Sequence, residues 1–177
     1  MADDAWLDYT ITYLEMTARP EWPQPPAPDV KSLALIRAED PPPRWFLHLY
    51  RSVGRDHEWT DWLERPEEEV AGFVGDPAVS IHTLMRRGWS AGFFMLDHRE
   101  RGICDLAYFG LTPEARGLGL GGWLLRTAIL TGWAAQGVER MTVNTCTLDH
   151  PNALPLYQRM GFEPVRREEA RRRKAAS

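Results

Sequence analysis

Phe109-Gly110-Leu111-Thr112-Pro113-Glu114-Ala115-Arg116-Gly117-Leu118-Gly119-Leu120-Gly121-Gly122, running on into Trp123-Leu124-Leu125-Arg126-Thr127-Ala128, is the stretch that decides the fold. The apolar run Ile103 to Leu111 predicts a buried strand. Pro113 and Glu114 mark a short turn. Arg116 and a cluster of glycines follow, and then a helix begins. Glycines at a helix start let backbone N–H groups approach an anion without interference from a Cβ atom. The helix N-terminus adds unpaired donors and partial positive charge. The segment therefore reads as a cradle for a pyrophosphate.

Three phosphate motifs compete for these residues. A Walker A loop requires Gly-Lys-Ser or Gly-Lys-Thr, and none follows here. Gly117, Gly119 and Gly122 satisfy the dinucleotide pattern G-x-G-x-x-G. That pattern expects the glycines directly after the first strand of a βαβ unit, with an acid about 20 residues on. Here Thr112 to Arg116 intervene, the loop lies late in the chain, and Glu139 sits at the start of another strand. The third pattern is R-x-x-G-x-G, carried by Arg116, Gly119 and Gly121.

A second block lies downstream. Arg140 to Thr147 is rich in β-branched residues and predicts a strand. Leu148 to Pro151 forms a turn, Asn152 to Met160 a short helix, and Gly161 its C-terminal stop. Phe162 opens a last strand. Ala153, Tyr157, Gly161 and Phe162 fit N-x-x-A-x-x-x-Y-x-x-x-G-F, with His150 at the Asn position. Together the two blocks resemble the GCN5-related N-acetyltransferases (GNAT), and Leu148 to Tyr157 is similar to a bacterial subgroup of that superfamily.

The resemblance implies an α/β (α+β) fold: a central, mixed, mostly antiparallel sheet flanked by helices on both faces. It implies acetyl-CoA as co-substrate and direct transfer of the acetyl group to a primary amine of a small molecule or peptide. The implied cofactor contacts are Phe109, Gly110 and Leu111 on the strand, Arg116 to Gly122 (with Leu118 and Leu120) on the loop, and Asn152. Tyr157 is the candidate general acid for the leaving thiolate, with a core tyrosine as the alternative. Asp105 and His150 are the candidates for the base. The alternative for Asp105 is a structural partner, and for His150 a surface turn residue. A homodimer is also implied. The rival reading is a non-catalytic acyl-CoA-binding sensor or subunit.

The rest of the chain bounds these expectations. Its 177 residues predict one domain, and a 44% hydrophobic content suffices for a core. Strands and a proline-rich connector occupy 1–40, the acetyl-CoA-binding core 101–165 and a charged tail 166–177. A net charge of −4 argues against a nucleic-acid partner. Arg166, Arg167 and Arg171 to Lys174 alternate with Glu168 and Glu169, and the tail reads as a solvated, frayed helix. Cys104 and Cys146 fall in strands as free thiols. The acidic Met1-Ala2-Asp3-Asp4 start lacks a signal-peptide pattern, and no membrane span is evident, so the cytoplasm is expected. His57, His82 and His98 stand at no metal-ligand spacing, and no metal is expected.

Upstream, Tyr9 to Met16 predicts a strand, Arg19 to Pro28 a proline-rich crossing and Leu33 to Arg37 a second strand. Arg44 to Val53 and Pro66 to Val74 predict helices. Val79 to Arg86 and Ala91 to Asp97 predict a hairpin turned near Arg87-Gly88. The acceptor pocket is expected from this half, with Trp59 and Trp62 as candidates to hold an amine by cation–π contact.

Overall fold

The computed structural model describes residues 6–174. The acidic start Met1 to Asp4 and the end of the tail lie outside the described residues. In chain order the elements are β1 (Trp6–Met16), β2 (Leu33–Arg37), α1 (Pro43–Gly54), α2 (Glu67–Val74), β3 (Val79–Arg86), β4 (Trp89–Asp97), β5 (Ile103–Leu111), α3 (Leu120–Ala134), β6 (Arg140–Cys146), α4 (Ala153–Arg159) and β7 (Glu163–Arg173). The strands form one seven-stranded sheet in the order β2-β3-β4-β5-β6-β1-β7. Pairing is antiparallel throughout except between β5 and β6. The α+β architecture and the order of elements are those that the sequence implies.

Helices cover both faces because β4 is apolar on both. Phe93 and Met95 join Ile81, the α1 residues Phe46, Leu49, Tyr50 and Val53, and the α2 residues Val70 and Phe73 in one core. Phe94 and Leu96 point the other way, into a core with Leu120, Leu124, Leu125, Ala128 and Ile129 of α3 and Tyr157 of α4. This alternation follows from the two-residue repeat of a strand. Pro43 starts α1 at a position that needs no N–H. Glu67 to Glu69 complement the dipole of α2. The two-residue Arg87-Gly88 turn has positive φ at both residues, 49° and 85°, which suits the twist of a tight hairpin.

One edge of the sheet differs from expectation. The tail is not a helix: Glu163–Arg173 is a strand paired with β1 from Glu15↔Glu163 to Trp6↔Arg173. Its alternating charges are cross-strand partners. Glu169 accepts from the Thr10 hydroxyl at 2.9 Å, Arg171 meets Asp8 at 3.3 Å, and the Arg173 guanidinium lies 5.5 Å from the centre of the Trp6 ring. Glu169, Arg171 and Arg173 therefore share one face with period two, a pattern that a helix would scatter. β1 itself lies between β6 and β7, far from β2. The proline-rich connector crosses over α3 to join them. Gln24 donates to Thr127 Oγ1 at 3.3 Å, and Arg126 lies 4.8 Å from the Trp22 ring centre.

Close packing at the middle of the sheet depends on Gly92 of β4. A Cβ there would strike the Gly110 carbonyl oxygen on β5 and approach Leu111 Cδ2 to 2.8 Å. The obstacle is backbone, which cannot rotate aside. Gly92→Ala is expected to destabilise the protein by about 1–3 kcal/mol, read as a lower midpoint in urea denaturation.

Candidate active site

β5 and β6 run together for only three pairs, Ile103↔Arg140, Cys104↔Met141 and Asp105↔Thr142. Beyond Asp105 they part. At the parting, Met95 pairs with Tyr108 and Leu96 with Leu106, which leaves Ala107 as an extra residue on β5. Such a bulge increases local twist and re-aims the strand. The stretch Leu106 to Leu111 keeps its β4 partners but has no strand on its other side. Its outward N–H and C=O groups face a cleft of about 440 Å³ that Leu106 to Leu111 line along with Asn144 of β6 and Tyr157 of α4.

The glycine loop closes one end of this cleft. Gly117 and Gly119 have φ of 76° and 73°, a region that side chains other than glycine rarely adopt. Gly119 is the N-cap of α3. It supplies no side-chain cap, and the first turn of the helix carries no acid. The first N–H donors of a 15-residue helix are therefore left for an external acceptor. Cβ atoms built on Gly117, Gly119 or Gly122 meet nothing within 4 Å, although all three line the cleft. Open space where side chains would stand, beside uncapped donors, fits a diphosphate. The free edge of β5 fits an amide-bearing arm that pairs like another strand. The residues present thus suit coenzyme A.

Phe109, Gly110, Leu111, Arg116, Gly117, Gly119, Leu120, Gly121, Gly122 and Asn152 all line the cleft, as do Tyr157, His150 and Trp59. Leu118 does not; it is an exposed leucine. Trp62 does not either. It stacks on Phe73 with ring centres 4.4 Å apart and donates to the Tyr108 hydroxyl at 2.7 Å, buttressing the cleft from behind. Asp105 sits at the closed end of the fork, where it accepts from the Thr142 hydroxyl at 2.5 Å. Burial raises its pKa, and the Thr142 hydrogen bond opposes that rise. The arrangement gives Asp105 the place of a clasp between the strands, outside the cleft lining.

Tyr157 is buried between Phe109 and Phe162, with ring centres 6.3 and 6.0 Å away. Burial, with smaller contributions from Asp149 and Asp105, raises its pKa and keeps the hydroxyl protonated at neutral pH. His150 Nδ1 accepts the Asn152 N–H at 3.2 Å. The bond has the pattern by which Asn and Asp side chains close a turn onto the backbone two residues on.

Asp149 ties the two walls together. It accepts from Trp59 Nε1 at 3.1 Å, the Thr145 hydroxyl at 2.7 Å and the Cys146 N–H at 2.9 Å. Gly54 makes room for Trp59, since a Cβ on it would collide with the tryptophan side chain. Gly110 makes room in the same way for Val53 at the end of α1. His57, Val53 and Asn144 also line the cleft, and no motif in the sequence marks them. His57 belongs to a short 3-10 turn after α1, and its ring centre lies 6.3 Å from that of His150. Among the described residues no group of His, Cys, Asp and Glu side chains is placed to hold a metal ion. No helix among them is long and apolar enough to cross a membrane.

Comparison with known proteins agrees with this geometry. A sequence model of the acetyltransferase (GNAT) family matches residues 10–162. No curated protein matches the chain. A GCN5-related N-acetyltransferase from Sphaerobacter thermophilus superposes with a TM-score of 0.64 at 19% identity, over 94% of this chain and 51% of that one. One from Kribbella flavida gives 0.53 at 16%, over 88% and 54%. An aminoglycoside acetyltransferase from an uncultured soil metagenomic sample, in complex with sisomicin, gives 0.55 at 13%, over 72% and 85%. At these identities the likeness is one of fold. The chain spans about half the length of the first two structures.

Asp149→Ala leaves the Trp59, Cys146 and Thr145 donors without their acceptor. At about 1–3 kcal/mol for each buried group left unpaired, the loss is expected to be on the order of 3 kcal/mol in urea denaturation. The freed Trp59 is expected to shift the intrinsic fluorescence to the red. Asp149→Asn, which keeps one acceptor oxygen, is expected to lose less.

Proposed function

The chain belongs to the acetyltransferase (GNAT) family, and on that premise we propose that it moves an acetyl group from acetyl-CoA directly to a primary amine of a small molecule or peptide. The observation that carries this reading is the meeting, in one cleft, of the uncapped glycine-rich start of α3 and the free edge of β5. Acetyl-CoA supplies a thioester acetyl group already activated toward amines. The N–H groups of Gly117 to Gly122 and the Arg116 side chain hold its phosphate charge. The open edge of β5 near the Ala107 bulge offers backbone N–H donors to polarise the carbonyl. Preorganised donors of this kind contribute about 3 kcal/mol elsewhere.

Tyr157 is the donor of the proton that the departing sulfur takes up. It starts protonated because burial disfavours the phenolate. Trp59 and Tyr108, with ring centres 5.3 Å apart, wall the acceptor end with aromatic faces that suit a cationic amine. The neighbouring fold of the aminoglycoside acetyltransferase supports a small polyamine as one acceptor class.

The test is a calorimetric titration with acetyl-CoA, with NAD as control, followed by thiol release across a panel of aminoglycosides, polyamines, amino acids and peptides. Binding of acetyl-CoA alone, with thiol release for at least one amine, is the expected result. Binding without any transfer points instead to a sensor or subunit, and binding of NAD to a dinucleotide enzyme. Gly119→Ala forces a side chain into left-handed backbone, at about 1–2 kcal/mol, and puts a methyl group in the cradle. It is expected to weaken acetyl-CoA about tenfold or more. Tyr157→Phe is expected to lower turnover on the order of 10²-fold with little change in acetyl-CoA affinity.

A further inference from the structure

The Arg116 guanidinium does not rest among the loop glycines. It reaches across to the turn after α1, where it contacts His57 Nε2 at 3.2 Å and Asp56 Oδ2 at 3.4 Å. A guanidinium has only donors, so Nε2 accepts and the imidazole is neutral, with its proton on Nδ1. The one lone pair with which His57 could take a proton is thus occupied by Arg116. Both residues line the cleft. A diphosphate on the α3 N-terminus offers the same guanidinium a charged, bidentate acceptor, a stronger partner than a neutral imidazole.

We propose that His57 is the base that deprotonates the acceptor ammonium, and that Arg116 blocks it until the cofactor's diphosphate draws the guanidinium away. The proposal rests on the acetyltransferase reading above. In the step, the ammonium N–H bond breaks and a new N–H bond forms at His57 Nε2, giving imidazolium and a neutral amine. The amine lone pair forms the C–N bond to the acetyl carbon, and the C–S bond breaks. Tyr157 gives its proton to the leaving sulfur, which departs as thiol; the second proton lost by the amide nitrogen replaces it on the phenolate by way of solvent, and the imidazolium returns its proton to solvent.

The groups around His57 support this order of events. Burial and the Arg116 cation hold its pKa below the ordinary histidine value, while Asp149, the Leu148 backbone and Asp56 pull upward. His150 faces it from the turn before α4. When Arg116 leaves, the carboxylates remain, and His57 moves toward the range in which a general base works near neutral pH. An amine that arrives before the cofactor meets a base with no free lone pair.

The probe is coenzyme A. Calorimetry first establishes its binding to the wild type, to His57→Gln and to Arg116→Gln. The imidazole resonances of His57, assigned by their loss in His57→Gln, are then titrated with pH, with and without saturating coenzyme A. The expected midpoint in the free protein lies below about 6.5. It is expected to rise on saturation with coenzyme A, and to rise in free Arg116→Gln without it. With the amine that releases most thiol, the wild-type kcat is expected to fall on the acid side. His57→Gln is expected to lose that acid limb and to drop in kcat on the order of 10²-fold, with coenzyme A affinity retained. If coenzyme A binds but His57→Gln keeps the wild-type limb and rate, His57 is not the base, and the acetyltransferase reading stands. If coenzyme A binds and the His57 resonances do not respond, the gate is refuted. Failure of the wild type to bind coenzyme A, or to release thiol with any amine, overturns the acetyltransferase reading and this proposal with it.

Discussion

The parting of β5 from β6 is the constraint on which the site depends. Two parallel strands held together for their whole length would satisfy each other's backbone groups and leave no opening. Here the pairing stops at Asp105 and Thr142, whose side chains join at the fork. Immediately beyond, the Ala107 bulge turns β5. The released edge is left with N–H and C=O groups that have no strand to pair with, a template for another extended chain. A ligand that brings its own amides answers that need. The same divergence lets α4 and the turn after α1 reach the opening from opposite faces of the sheet, so that Tyr157 and His57 line one cleft.

Much of this was legible in the chain because it was written in short-range chemistry. The glycines of the loop mark positions where φ is positive, at Gly117 and Gly119, or where open space beside the helix start is kept free of side chains, and both requirements are local. Strand β5 matched its apolar run, and the hairpin of β3 and β4 announced itself through Arg87-Gly88. Tyr157 and His150, which line the cleft, were singled out by the match of one strand–turn–helix block to the family pattern. Residues outside such blocks were harder to read. Nothing adjacent to His57 in sequence marks it. Its meaning arises from Arg116, far along the chain, and from Asp149, farther still.

The misread tail shows the same limit from the other side. Arg166 to Lys174 has neither an apolar stripe nor a helix cap, and its composition alone suits a solvated segment. What makes it a strand is the partner: the Thr10 hydroxyl, the Asp8 carboxylate and the rings of Tyr13 and Trp6 on β1 match its charges two residues at a time. Asp105 and Trp62 teach a related lesson. A carboxylate on a central strand and a tryptophan beside a cleft both invite a chemical role. Each instead has its polar atom committed, Asp105 to Thr142 at the fork and Trp62 to Tyr108, which does line the cleft.

The position of β1 sets the order in which the chain is able to assemble. β1 leaves the ribosome before every other strand, yet its neighbours in the sheet are β6 and β7, with Trp6 opposite Arg173. Until those strands emerge, Leu14 and Met16 have no covered face, and the segment waits tethered by its proline-rich connector. Pairings so distant in sequence are slow to close, and the interval exposes an unpaired strand to other chains. The sheet is therefore completed last by its first strand. Closing this sheet requires its first strand to pair with its last two across most of the length of the chain.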